Sequence, residues 1–321
     1  MVSTVSLICA QSYEAIALRS KVEELLAPLG GIKTFVKKGD RVLLKPNLLT
    51  GSKQGLECIT RPEIVYCVAQ LVKEAGGKPF LGDSPAFGTA RGVAKSNGYL
   101  PLIEQLELPV IEFTAKSYSI DSNNFDRLRL SKEAMEADVV INLPKIKSHV
   151  QLTMTMGVKN LFGCVPGKMK AWWHLEAGKN VDRFADMLVQ TALAIQPDLT
   201  IIDGIIAHEG NGPSGGQPRF AGILGASEDV FALDRAILEI LQVNPEIVPT
   251  IMAQSRSGQT WQLSQIDFPL LSPSQLQIMN WKLPDKLVAI DFGLPRVLRS
   301  TFKHLYIRFI QEPLNTYVTK S

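Results

Sequence analysis

Along this chain short apolar runs alternate with segments whose apolar residues recur every three or four positions, as strands and helices do when laid down in turn. Residues 5–10 predict a first strand, and 14–26 a helix stopped at Gly30-Gly31. Residues 40–45 predict a second strand, ended by Pro46. Residues 61–75 predict a helix with Pro62 in its first turn and Gly76-Gly77 beyond its end. Further strands are predicted over 78–83, 110–113, 139–143 and 199–202, and further helices over 181–195 and 230–241. A stretch dense in glycine and proline, 210–218, reads as a loop, and there is no internal repeat. The alternation predicts an α/β fold with a mostly parallel central sheet. At 321 residues the chain has room for two packed lobes, expected over 1–137 and 138–270, with an extension over 271–321.

The ends of the predicted strands carry the polar residues. They read Lys45-Pro46-Asn47, Gly82-Asp83-Ser84-Pro85, Asn142-Leu143-Pro144-Lys145 and Asp203-Gly204. Open α/β sheets bind ligands at the carboxyl ends of their strands, so these four ends are expected to face one crevice. Thr60-Arg61-Pro62-Glu63 adds a helix N-terminus, with Thr60 as a candidate cap and Arg61 in the first turn, a place that attracts anions.

The formal net charge of +3 is too small to point to a polyanionic partner, so the position of the positive charge matters more than its sum. From Asn142 to His174 the chain holds Lys145, Lys147, Lys159, Lys168 and Lys170 with His149 and His174, and no carboxylate interrupts it between Asp138 and Glu176. A solvated basic face is the plain explanation. Against it, the lysines are interleaved with apolar residues, and Asn142 and Asn160 accompany them, able to orient what a lysine merely attracts. Gly157, Gly163 and Gly167 would let backbone N–H groups approach a ligand. The expectation is an anion pocket in which Lys45, Arg61, Lys145, Lys147 and Lys159 supply charge and Asn47, Asn142 and Asn160 supply orientation. Asp83, His149 and Asp203 are the candidate catalytic groups. Two roles are open to the carboxylates, holding a divalent cation beside a phosphate or setting lysine and histidine protonation. Asp83 and Asp203-Gly204 can equally be turns, and Asp234 joins the same acidic set. His208, beside Glu209 at the start of the glycine-rich loop, suggests a lid.

Other classes lack a signal. There is no P-loop, no GxSxG and no metal-type histidine or cysteine spacing; the four cysteines lie far apart and read as reduced thiols. No basic leader or long apolar segment stands out, which predicts a cytoplasmic protein. An RNA surface built on the basic stretch with Trp172 and Trp173 lacks a recognisable module, and no nucleic acid is expected. Residues 295–310 place Arg296, Arg299, Lys303 and Arg308 among apolar residues, the pattern of a basic amphipathic helix able to touch an anionic membrane surface or to pack on its own domain.

The sequence carries KPNLL from Lys45, TRPEIV from Thr60, GDSP from Gly82, NLPKIKSH from Asn142, GVKNLFG from Gly157 and DVFALD from Asp229, in that order. In this set it resembles the family called domain of unknown function 362. That resemblance implies an appended ferredoxin-like iron–sulfur module in many members. Here residues 246–321 contain no cysteine, so no such cluster is expected from this chain alone; its cysteines would have to come from a redox partner or a second copy. Cys164 falls in the motif region and reads as a small buried hydrophobe, with a ligand or a nucleophile as the alternatives. The layout is also similar to that of the lactate racemase family, in which a Thr-Arg-Pro-type turn binds a phosphorylated nicotinic-acid-derived cofactor, and Thr60-Arg61-Pro62 stands in a comparable place. Together these expectations describe an enzyme acting on a small phosphorylated or carboxylated metabolite between two lobes. The alternative is a non-catalytic cofactor-binding or iron–sulfur-linked maturation protein.

Overall fold

The computed structural model describes residues 2–49, 56–86, 88–120, 125, 127–167, 180–260 and 262–288. The expectations placed on Lys168, Lys170, Trp172, Trp173, His174 and 295–310 lie outside them.

The chain opens on a short strand that the apolar pattern does not predict, β1 (Ser3–Thr4), and the apolar runs then become β-strands where expected: β2 (Ser6–Cys9), β3 (Arg41–Pro46), β4 (Lys78–Gly82), β5 (Val110–Ile111) and β8 (Val139–Leu143). Between the last two lie β6 (Ala115–Ser119) and β7 (Arg127–Ser131), an antiparallel pair of their own. Then come β9 (Lys145–His149), β10 (Thr153–Thr155), β11 (Leu199–Glu209), β12 (Gln217–Ser227) and β13 (Ile266–Asp267). Among the described residues nine strands form one sheet, which runs β2-β12-β11-β8-β3-β4-β5. The hairpin β9–β10 attaches to the far half of β11. β3, β4, β5, β8 and β11 are mutually parallel, so their carboxyl ends share one edge. β3 pairs with β8 in register from Val42–Val139 to Pro46–Leu143, so strands from either side of residue 137 lie in the same sheet.

Helices cover both faces. Ala15–Leu26, Pro62–Glu74 and the pair Ala90–Ser96 and Leu100–Gln105 enclose one apolar core with Ile8, Val42, Leu44, Ile141 and Ile201. Val181–Ile195, Val230–Ile240 and Pro249–Arg256 cover the opposite face. With both faces covered, β8 is buried along its whole length, as parallel strands require. Local chemistry ends the helices: Glu14 accepts the N–H groups of Ile16 and Ala17, Asp229 those of Phe231 and Ala232, and Gly30 takes the left-handed conformation at φ 84° after the first helix.

Two features set up the strand ends. Pro144 breaks β8 from β9, but its carbonyl accepts the N–H of Asp203, so β8, Pro144 and β9 run as one broken edge along β11. On β11, Asp203 aligns with Lys145 and His208 with Lys147, so five residues of β11 span two of β9. The pairing of β11 with β12 also shifts between Gly204 and Ile206. This irregularity keeps Asp203 and His208 on the face that carries the two lysines.

Candidate active site

The strand ends meet in a buried polar cluster. Lys45, Asp83, Asn142, Lys145, Lys147, Asn160 and Asp203 are each no more than 4% exposed. Burial of so many polar groups is tolerable only if each is partnered, and the bonding is dense.

Asp203 stands in mid-strand, not in a turn. Its Oδ2 accepts from Lys145 Nζ at 2.8 Å and from the Arg61 backbone N–H at 3.1 Å, and its Oδ1 accepts from the Tyr13 hydroxyl at 2.7 Å. Tyr13 in turn accepts from Lys145 Nζ and from the Ile206 N–H, both at 3.1 Å, the latter where β11 is irregular. One donor and two acceptor positions are thereby all used. Burial and the Asp203 charge push the Tyr13 hydroxyl well above the usual tyrosine range, so it serves as a donor and not as a phenolate. Burial depresses Lys145 in spite of Asp203.

A second ion pair joins Lys45 Nζ to Asp83 Oδ1 at 2.9 Å. Asp83 also accepts from the N–H groups of Leu48 and Ser84, each at 2.8 Å, which ties the ends of β3 and β4 together. Gly163 packs directly on this pair: a Cβ there would collide with Asp83 Oδ1 and stand 2.5 Å from Lys45 Nζ.

An amide relay connects the parts. Lys147 Nζ donates to Asn47 Oδ1 at 2.9 Å, Asn47 Nδ2 to Asn160 Oδ1 at 2.9 Å, and Asn160 Nδ2 to Asn142 Oδ1 at 2.8 Å. Asn142 Nδ2 then donates to the carbonyl of Gly157 at 3.1 Å, whose own N–H is held by Asp234 Oδ1 at 2.6 Å. Asp234 also accepts from Val158 N–H, and burial outweighs both amides, lifting its carboxyl to about 7.

Lys147 differs from the other two lysines. It is 2% exposed, its acceptors are the neutral oxygens Asn47 Oδ1 and Cys58 O, and no carboxylate pairs with it among the described residues. Burial pulls it down to about 8. Burial likewise pushes the Cys58 thiol up, against the pull of Lys147.

Three expected members stand apart or act differently. Lys159 is half-buried, its ammonium 4.3 Å from the centre of the Phe162 ring. His149 is half-buried at the end of β9, its Nδ1 accepting the N–H of Gln151 in the following turn. Arg61 keeps its guanidinium on Glu63 and over the Tyr13 ring, 4.9 Å from its centre. Thr60 is not the cap of the helix that follows: Arg61 holds that position, while Thr60 Oγ1 donates to Leu143 O and accepts from Asn47 N–H. The helix N-terminus meets the chain's own Asp203 carboxylate through the Arg61 N–H. His208 and Glu209 belong to β11 and are buried, so the lid expected there is a strand end. As for a cation, no group of three His, Cys, Asp or Glu side chains is gathered to hold one among the described residues.

The family described as Domain of unknown function (DUF362) matches residues 42–239. This chain belongs to the DUF362 family. Its matched stretch contains every side chain of the cluster except Tyr13, which reaches in from the segment before the first helix. A protein of Synechocystis sp. named as a thylakoid-associated protein is 65% identical over 321 residues, 100% of both chains. Among solved structures, the lactate racemase apoprotein of Thermoanaerobacterium thermosaccharolyticum gives a TM-score of 0.42 at 15% identity, over 62% of this chain and 50% of that one. The sequence does not mark Tyr13 as a member of this cluster, or His208 as the residue aligned with Lys147. Tyr13 has no motif around it, and His208 was assigned to a loop because Gly210 follows so closely. The signal available for His208 was the apolar run from Leu199, which continues through Ile205 and Ile206 to Ala207.

Proposed function

We propose that this chain is an enzyme acting on a small anionic metabolite, phosphorylated or carboxylated, bound at the carboxyl ends of β3, β4, β8 and β11. The observation that carries the reading is Lys147, a buried cation without a carboxylate in a cluster whose other lysines, Lys45 and Lys145, each have one. An unpaired buried charge is costly, and an anionic ligand supplies the missing counter-charge. Asn47, held between Lys147 and Asn160, fixes the ammonium in place. Asp83 and Asp203 hold their lysines in position, leaving Lys147 to receive the ligand.

Oxalate and inorganic phosphate, titrated calorimetrically, test this. Affinity is expected to be level below about pH 7 and to fall roughly tenfold per unit above pH 8, as the ammonium loses its proton. Lys147→Met is expected to lose at least about tenfold in affinity while keeping its circular dichroism. The stability of the free protein should move the other way. Between about 8 and the unfolded value of 10.5 the unfolded chain binds the extra proton, so stability rises with pH across that window, and Lys147→Met removes the slope. Affinity that is flat through pH 8 and unchanged in the variant defeats the reading.

The compartment we propose is cytoplasmic, with contact at a membrane surface. The 65% identical relative bears the name thylakoid-associated, and among the described residues no helix is long and apolar enough to cross a membrane. The basic and apolar residues of 295–310 would then make a peripheral contact with anionic lipid. Sedimentation with vesicles containing anionic lipid should retain the full chain at low salt and release it at high salt. A chain ending at residue 288 should stay in solution; equal retention of both forms removes this segment from the account.

A further inference from the structure

Lys147 and His208 have properties that anion binding alone does not use. Lys147 Nζ donates to Asn47 Oδ1 and Cys58 O, each at 2.9 Å, and to nothing else among the described residues. An ammonium has three protons to place; a neutral amine has two, with a lone pair left over. The bonding therefore suits the amine as well as the ammonium. His208 aligns with Lys147 across the β9–β11 ladder, is 5% exposed, and its Nδ1 has no hydrogen-bond partner. His208 Nδ1 is thus a buried acceptor or donor left without a protein partner among the described residues.

We propose that Lys147 is a nucleophilic amine that condenses with the carbonyl carbon of a small anionic oxo acid, and that His208 carries its proton. This rests on the anion-binding reading and names the class of anion. In the step, His208 accepts a proton from the Lys147 ammonium, and the nitrogen lone pair then forms a bond to the carbonyl carbon. The carbonyl oxygen takes up two of the protons the ammonium carried, one returned by His208, and leaves as water. Ammonium and oxo acid thus become iminium and water, with no oxidant or reductant. Charge balances as well: Lys45 and Lys145 are matched by Asp83 and Asp203, so among the described residues of the cluster the iminium is the excess cation and the substrate carboxylate offsets it.

The surroundings keep His208 neutral and ease the loss of a proton from Lys147. Burial and the nearby Lys147 and Lys145 charges hold His208 down at about 4, so it is a neutral imidazole at physiological pH and, standing below Lys147 at about 8, holds the proton only transiently before returning it. Burial lowers Lys147 to about 8, so it yields its proton far more readily than a solvated lysine. Cys58, whose carbonyl holds Lys147, is kept as a thiol by burial and leaves the amine as the stronger nucleophile of the two.

The test is reductive trapping of the full chain with glyoxylate and cyanoborohydride near pH 7, followed by peptide mapping. Glyoxylate is chosen as a small oxo acid because Lys147 is only 2% exposed. Lys147 is expected to be labelled at least tenfold faster than any other lysine, since solvated lysines near 10.5 hold far less free amine at that pH. Excess oxalate should protect it, and His208→Gln should slow its labelling at least tenfold. Labelling at Lys147 no faster than at exposed lysines overturns the proposal. If oxalate still binds with the pH dependence given above, the anion site stands and the imine alone falls; if that binding is also missing, both fall.

Discussion

Replacing Asp203 with alanine is expected to cost about 3–5 kcal/mol of stability, read as a lower urea midpoint at an unchanged slope. The residue is wholly buried and accepts from Lys145 Nζ, the Tyr13 hydroxyl and the Arg61 N–H. Without it Lys145 becomes a buried cation with no counter-charge, the Tyr13 proton loses its acceptor, and the helix Pro62–Glu74 loses the carboxylate at its start. Tyr13→Phe is the control. It leaves the ion pair intact and should cost about 1 kcal/mol, chiefly for the Ile206 N–H it strands. A loss below about 1 kcal/mol in Asp203→Ala would mean that Lys145 sheds its proton freely and the pair contributes little.

Gly163→Ala should be nearly as damaging, although it adds a single methyl group. The new carbon would collide with Asp83 Oδ1 and stand 2.5 Å from both Lys45 Cε and Nζ, so the ion pair between them must open. Overpacking of this kind costs about 1–3 kcal/mol, and separating a buried pair costs more. A total near 4 kcal/mol is expected, with the Leu48 and Ser84 N–H groups losing protection in hydrogen exchange because Asp83 holds them. Wild-type exchange at those two amides would show that the loop carrying Gly163 retreats instead. Since Ser84 N–H donates to Gly163 O at 3.1 Å, that retreat would itself break a bond.

The parallel sheet was legible because its strands are apolar on both faces and end on proline or polar residues. Lys45-Pro46-Asn47 and Asn142 through Lys145 mark strand tips in the sequence and lie at them in the structure. What the sequence hid was the buried character of β9, whose residues KIKSH look like a solvated basic strand yet are buried through Ser148. Their partners come from far along the chain: Tyr13 is 132 positions from Lys145, and Asn47 is 100 from Lys147. Periodicity reports which side chains share a face, and it carries no record of which distant group satisfies them. For the same reason the lysines could be named as a set, while the distinction between two paired cations and one without a carboxylate required the fold. The glycine and proline of 210–218 predict a loop with His208 at its start, and no strand is predicted over the rest of β12 or the far half of β11. Gly210 to Gly216 is only the turn between two strands of eleven residues each.

The irregular pairing of β11 gives its spacing diagnostic value. Residues an odd number of positions apart on a regular strand point to opposite faces, yet Asp203 and His208 both align with lysines of β9. A relative that gained or lost one residue between these positions would keep an apolar strand and an intact sheet. It would nonetheless turn its histidine toward the opposite core, beside Ile146 and Ile223. Counting the residues between aspartate and histidine should therefore sort DUF362 sequences into those that keep the histidine aligned with Lys147 and those that share only the scaffold.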